Sequence, residues 1–468
     1  MKNTTHLIFG MLALTFGMEA MAQIQLSSVF SDGMVLQQNS KVAVWGWGNP
    51  SETLMILSEW NPGDTVRTVV DNQGRWKVEV PTGCAGGPYT LEVKGGNDSR
   101  KVSDVMLGEV WLCSGQSNME WSANMGIMNG EQEVKQAACP SVRIFHNPKQ
   151  GADTPQTDCR TKWEVATPES MRKTSATAYF FARYLTEHLK VPVGIFVSAW
   201  GGTPAEVWTP ADIVENDEIL AKNKLKDYPW WPIKPGVLYN QMIHPLVPYQ
   251  IAGCIWYQGE SNHENAPSYA RLVSKMVEAW RKDFGWDFPF YYVQIAPHTY
   301  GAKNNTPALL REQQELMLGQ VKNTAMINIS DLVENVKDIH PRNKRAIGER
   351  LACLAMDKVY GLFTGAYESP RLHEARVVKR NLEVTLEGNF NTLHSTTKEV
   401  IGLTVVDGTG KQVAVNARLK GKSLQIPLRG LKAPYQVYYC FDEATIGSLR
   451  TDADMPVLPF RTAKIEVK

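Results

Sequence analysis

The stretch GEVWLCSGQSNMEW, Gly108 to Trp121, runs apolar from Val110 to Cys113, turns at Ser114-Gly115, and enters a polar, helix-compatible run directly at Ser117. A short apolar strand that ends in a glycine turn and feeds a helix is the opening unit of a βα repeat. The same order recurs downstream. TSATAYFFARYLTEHLK (174–190), with Thr174 or Ser175 as its cap, is followed by the strand VGIFVSAW (193–200). IAGCIWYQG (251–259) precedes a helical APSYARLVSKMVEAWRKDFG, FYYVQIA (290–296) precedes PALLREQQELMLGQ, and TAMINIS (324–330) precedes RNKRAIGERLACLAMDKVYG. Repeated βα order predicts a parallel sheet with helices on both faces, a three-layer α/β/α fold over residues 104–365. Ligands in such folds sit at the carboxyl ends of the strands.

Outside that region the texture changes. Residues 23–103 carry short β-branched and aromatic runs between Gly, Pro, Asn and Asp breakers, as in VAVWGWG, TLMILSEW and PYTLEVKGGND. They predict a small β-sandwich, with DNQGRW (71–76) as a hairpin turn. Residues 366–468 return to strands, among them NLEVTLEG, SLQIPLRG and PYQVYYCF, with DGTGKQ (407–412) as a hairpin loop. The pattern leaves open whether this C-terminal β-rich segment stands alone or packs on the first sandwich.

Residues 1–22 are not expected to belong to the fold. Lys2, the apolar run Leu7 to Met18 and the small residues Ala20-Met21-Ala22 have the three-part order of a signal peptide. The chain is therefore expected to be exported, to a periplasm or beyond the cell, with no membrane span. A formal net charge of +1, with 21% charged residues, gives no electrostatic basis for binding nucleic acid or an anionic membrane. Of the seven cysteines, Cys113 and Cys254 read as buried thiols, while Cys139 and Cys159 bracket a loop-rich stretch and are the expected disulfide pair. No cysteine or histidine cluster has metal-ligand spacing, so neither metal nor organic cofactor is expected.

Four loops after predicted strands carry side chains that a plain turn does not need. In SGQSNME, Ser117 is either a helix-capping hydroxyl or a nucleophile, and read alone the first is the commoner case. In SAWGGTPAEVW, Gly201-Gly202 permits close approach of main chain to a ligand, so an N–H there could face an oxyanion. In WYQGESN, Gln258, Glu260 and Asn262 gather at a strand end, where an Asn amide can also donate to an oxyanion. In DIHPRNK, His340 is a candidate general base and Asp338 its orienting carboxylate; both also suit the cap of the following helix. Together these residues supply what acyl transfer requires: a nucleophile, oxyanion donors, a base and its orienter.

The segments GQSNMEW, WGGTPAEVW, WYQGESN and DIHPRNK resemble those of the sialate O-acetylesterases, within the SGNH hydrolase superfamily. FSDGMVLQ and VWGWG resemble that family's opening β-domain, and LPFRT its closing segment. The resemblance implies a serine esterase removing O-acetyl groups from sugars, sialic acids foremost, with acetylated plant polysaccharide such as xylan as the alternative and a catalytically inactive carbohydrate-binding protein as a further one. It implies Ser117 as nucleophile, His340 as base, and the Ser117 N–H, Gly202 (or Gly201) and Asn262 as the oxyanion hole. The superfamily usually places its Asp three residues before the His, whereas Asp338 is two before; Asp331 and Glu334 are the alternative orienters. Gln116, Gln258, Glu260 and Asn240 are expected to contact substrate. Gln241 stands where the family commonly has Gly, beside Asn240. Arg311, in the family-like segment LREQQE, is a candidate partner for a sialic acid carboxylate or else a structural helix arginine.

Overall fold

The computed structural model describes residues 23–302 and 305–466; the expected signal peptide lies outside them. The central sheet is built from β1 (Asp98–Gly115), β2 (Cys139–His146), β3 (Trp163–Ala166), β4 (Val193–Ala199), β5 (Gly253–Tyr257), β6 (Phe290–Val293) and β7 (Thr324–Ile327). Its order is β3-β2-β4-β1-β5-β6-β7, parallel throughout except for β3 at one edge. Every residue of β4 and β5 is buried, as expected of strands covered on both faces.

The helices are α1 (Ser117–Glu120), α2 (Ala176–Leu189), α3 (Tyr269–Phe284), α4 (Thr306–Gln320) and α5 (Lys344–Lys358). Alternate residues of the strands point to opposite faces. Leu112, Phe196, Trp256 and Tyr292 share one core with α3 and α4, whereas Cys113, Val197, Ile255 and Tyr291 share the other with α2 and α5. The expected three-layer α/β/α architecture is therefore present. Ser175, not Thr174, caps α2, its Oγ accepting the Ala178 N–H at 3.0 Å.

From β1 the chain fills one side of the sheet with β2, β3 and β4, then crosses to the other with β5, β6 and β7. The carboxyl end of β1 is thus a topological switch point, where the loops after β4 and β5 diverge and leave a crevice. β1 itself joins two modules. Its first part pairs antiparallel with the strand Gly86–Gly95 of the N-terminal sandwich, and its last seven residue partners lie on β4. The antiparallel pairing runs to Leu107 and the parallel pairing with β4 begins at Glu109, so the hand-over falls between them.

The N-terminal region is a two-sheet sandwich. Lys41–Trp47 pairs with Arg75–Pro81 in one sheet, while Thr53–Ser58 pairs with Thr65–Val69 and Gly86–Gly95 in the other. Residues 71–76 are therefore not the hairpin the sequence suggested. They cross from one sheet to the other, braced by Asp71 Oδ1, which accepts the Gln73 and Arg75 N–H groups. The C-terminal β-rich segment has a core of its own, including Leu382, Val405, Leu424 and Val437. It docks on α4, where the Arg461 guanidinium pairs with the Glu312 carboxylate at 2.8 Å. The loop at 407–412 does close a hairpin, between Leu403–Val406 and Gln412–Ala414.

The expected Cys139–Cys159 disulfide is absent, and all seven cysteines are free. The physical reason lies in the layers: Cys159 is buried in the core on the α3–α4 face, whereas Cys139 packs against the core on the α2–α5 face. Chain proximity did not translate into spatial proximity.

Candidate active site

Gly115 ends β1 at φ 141°, and a Cβ there would meet the Tyr257 carbonyl oxygen at 2.2 Å. Only glycine lets the chain turn this close to the end of β5. The turn makes Gln116 the N-cap of α1, without a side-chain capping bond, and puts Ser117 in the first helical position. Ser117 Oγ lies 3.0 Å from His340 Nε2. The capping reading of Ser117 is thereby replaced, and that of His340 with it, because Asn343 caps α5 through the Ala346 N–H at 3.1 Å.

Besides Ser117, two neighbours hold His340. The Trp121 indole stacks on its imidazole, centroids 3.8 Å apart and planes 19° from parallel. Asp338 Oδ1 accepts the His340 backbone N–H at 2.9 Å, which shapes the loop, and stands 3.6 Å from Nδ1. That is an ion-pair separation, longer than a hydrogen bond. Asp331, one alternative orienter, is held by the Arg350 guanidinium through two contacts of 3.0 and 2.9 Å. Burial, then the nearby Lys344 charge, pull the His340 imidazole down from 6.5 to about 4, against the opposing pull of Asp338.

The Gly201-Gly202 loop abuts Ser117: a Cβ on Gly201 would lie 3.2 Å from the Ser117 Cβ. The Gly201 N–H is taken by Glu120 Oε2 at 2.6 Å, so of the two glycines Gly202 is the one whose amide stays available. Asn262 is set by its surroundings. Its Oδ1 accepts the Ala205 N–H at 2.9 Å and the Gln258 amide at 2.7 Å, and its Nδ2 donates to Glu206 at 2.8 Å, leaving one amide hydrogen. Among the described residues, no protein acceptor takes the N–H groups of Ser117 and Gly202. Such unclaimed donors beside a hydroxyl–imidazole pair can receive negative charge developing on a carbonyl oxygen.

A cavity of about 430 Å³ opens over these groups, lined among others by Gln116, Ser117, Trp121, Gly202, Trp231, Glu260, Ser261 and His340. Gln116 and Glu260 thus reach the cleft as expected. Gln258 does not: it is fully buried and acts on Asn262 from behind. Asn240 is also elsewhere. Its amide donates to the Ala152 carbonyl at 3.0 Å, and it borders a separate surface hollow with Tyr239 and His244. Arg311 is 2% exposed, and its guanidinium donates to the backbone carbonyls of Cys440, Asp442 and Glu443. It fastens the C-terminal segment to α4 and lies outside the cleft lining, so its structural reading is the one the geometry favours.

One network escaped the sequence. Asn118 Nδ2 donates to Glu260 Oε1 at 2.6 Å and to the Ile339 carbonyl at 3.0 Å, while its Oδ1 accepts from Lys344 Nζ at 2.6 Å. One buried amide therefore ties the helix after Ser117, the loop after β5, the histidine loop and α5 together. Burial lowers the Lys344 ammonium to about 7 and raises the Glu260 carboxyl, whose Oε2 has no partner. Trp121 and Asn118 both lie within GQSNMEW, four residues and one residue after Ser117. Their neighbours in space, His340 and Lys344, are more than 200 residues away, so no local pattern could reveal the contacts.

Residues 107–357 match the family model described as carbohydrate esterase, sialic acid-specific acetylesterase. The sialate O-acetylesterase of Homo sapiens is 30% identical over 384 residues, covering 74% of this chain and 73% of that protein. The one from Mus musculus is 29% identical over 412 residues, covering 74% and 75%. Among solved structures, a carbohydrate acetylesterase from Xanthomonas citri superposes with a TM-score of 0.86 at 34% identity, covering 94% of this chain and 99% of that one.

Proposed function

Because this chain belongs to the sialic acid-specific acetylesterase family of carbohydrate esterases, we propose that it removes O-acetyl groups from sialic acids through an acetyl-serine intermediate. The observation that carries the chemistry is the 3.0 Å approach of His340 Nε2 to Ser117 Oγ at the switch point of the sheet. Ser117 Oγ attacks the acetyl carbonyl carbon as His340 accepts its proton. The oxyanion takes hydrogen bonds from the Ser117 and Gly202 N–H groups and the remaining Asn262 N–H. Collapse expels the sugar oxygen, which takes the proton from His340. Water, deprotonated by the same imidazole, then attacks the acetyl carbonyl; the bond from the acyl carbon to Ser117 Oγ breaks, acetate leaves, and His340 returns the proton to Oγ. Asp338 supports the imidazolium through charge across 3.6 Å rather than through a tight hydrogen bond. Glu260 and Gln116, both among the residues lining the cleft, are the groups we assign to the sugar hydroxyls. We further propose that residues 1–22 direct export, which places the enzyme where extracellular glycans are met.

The substrate assignment is tested by acetate release from O-acetylated sialic acid and from acetylated xylo-oligosaccharides. The expected result is a kcat/KM at least tenfold higher for the sialic acid; the reverse preference would assign the enzyme to plant polysaccharide.

The base also makes a prediction. His340 must be neutral to accept a proton, and its neutral form dominates above about 4. The kcat/KM for p-nitrophenyl acetate is therefore expected to stay level as pH falls from 7 to about 5, and to drop only near 4. A drop centred at the ordinary histidine value of 6.5 would show that the cleft does not depress this imidazole.

A further inference from the structure

Beside the cleft, residues 228–231 form a tight turn closed by a bridge between Tyr228 and Trp231, and three aromatic rings gather on it. Trp231 lines the cavity and lies so close to Gly202 that a Cβ on that glycine would meet its ring at 2.2 Å. Tyr228 follows, its ring centroid 4.6 Å from that of Trp231. Trp230 then lies over Tyr228 at 5.3 Å and 30°, with 62% of its surface exposed. The rings thus form a continuous path from the proposed oxyanion loop to solvent.

The segment leading into the path is tied to the loop after β5. The Asn265 side chain accepts the Lys224 backbone N–H at 3.3 Å and donates to the Lys224 carbonyl at 2.9 Å, and Lys226 pairs with Glu264 at 2.8 Å. Pro229 and Pro232 flank the two tryptophans and restrict the backbone between them. A rigid aromatic surface loses little entropy when something lies on it. The surrounding residues Lys224, Lys226, Asp227 and Lys234 are exposed and charged. That setting suits a ligand with one apolar face and a hydroxylated edge, because the edge stays in water and near charge while the face covers the indole. A pyranose ring has that form.

We infer that Trp230 and Tyr228 form an accessory sugar subsite, so that the enzyme acts on acetylated residues within an oligosaccharide better than on the free monosaccharide. The inference rests on the proposed use of the cleft for acetyl esters and extends it to the neighbouring sugar. Trp230 makes no contact with the reacting atoms, and its exposure makes Trp230→Ala a safe substitution for folding.

The test compares wild type with Trp230→Ala on O-acetylated sialyllactose, free O-acetylated sialic acid and p-nitrophenyl acetate. The expected result is a KM for sialyllactose raised about 3- to 10-fold with kcat retained, recovery in Trp230→Phe, and no change for the two small substrates. An unchanged KM for sialyllactose, or an equal rise for all three substrates, would overturn the subsite. Binding of unacetylated sialyllactose and of xylotetraose to Ser117→Ala, followed by tryptophan fluorescence, reads the platform without the chemistry. Saturable binding of either, lost on adding Trp230→Ala, supports the subsite; no binding of either overturns it. Dimerisation that depends on Trp230 in sedimentation would assign the rings to a second copy instead. Acetate release surviving in Ser117→Ala would sink the catalytic reading alone, since the fluorescence result does not depend on it.

Discussion

Ser117→Ala is expected to lower kcat/KM for acetate release by about 10⁴- to 10⁶-fold, the range seen when a serine nucleophile acting with a histidine is removed. The fold should survive. Ser117 is only half-buried, and the bond its hydroxyl makes is the one to His340, so the variant should unfold in urea within about 1 kcal/mol of wild type. The combination is diagnostic. A nucleophile is energetically cheap to remove from the structure and ruinous to remove from the reaction, whereas a structural serine shows the opposite balance. Retention of full activity would end the acetyl-serine mechanism.

His340→Ala should cost nearly as much, and the double variant Ser117→Ala/His340→Ala no more than the worse single one. The reason is that the two groups act as one unit: a serine hydroxyl without a base is a poor nucleophile, and a base without the hydroxyl has nothing to activate. Losses that multiplied in the double variant would mean that the two side chains act separately despite their 3.0 Å contact. Because Trp121 stacks on the imidazole at 3.8 Å, His340→Ala leaves an aromatic-walled gap where added imidazole can sit. Partial rescue of activity by free imidazole is expected in this variant and none in Ser117→Ala.

Local signals were enough for much of the architecture. The βα order from 108 onward, glycine at the end of β1, and the short β runs on either side are near-neighbour properties of the chain. They also brought Ser117, Gly202, Asn262 and His340 forward as strand-end residues. The misreadings share a cause. Cys139 and Cys159 looked pairable because they are close in sequence, yet a sheet separates them. Residues 71–76 have the composition of a hairpin, but the strand before them pairs backward and the strand after them pairs with Lys41–Trp47. Arg311 has the chemistry to hold a carboxylate, and the C-terminal segment claims it first.

By itself, then, the sequence determined which elements form and which candidate side chains stand at their ends, because backbone turns, hydrophobic period and motif chemistry operate over a few residues. Only the tertiary structure decided which of those side chains meet. The pairing of Ser117 with His340 across 223 positions, the clamp of Asn118 on Glu260, Ile339 and Lys344, and the removal of Asn240 and Arg311 from the cleft all depend on strand order. Strand order is set by packing two cores against one sheet, a property of the whole chain that no single stretch of it contains.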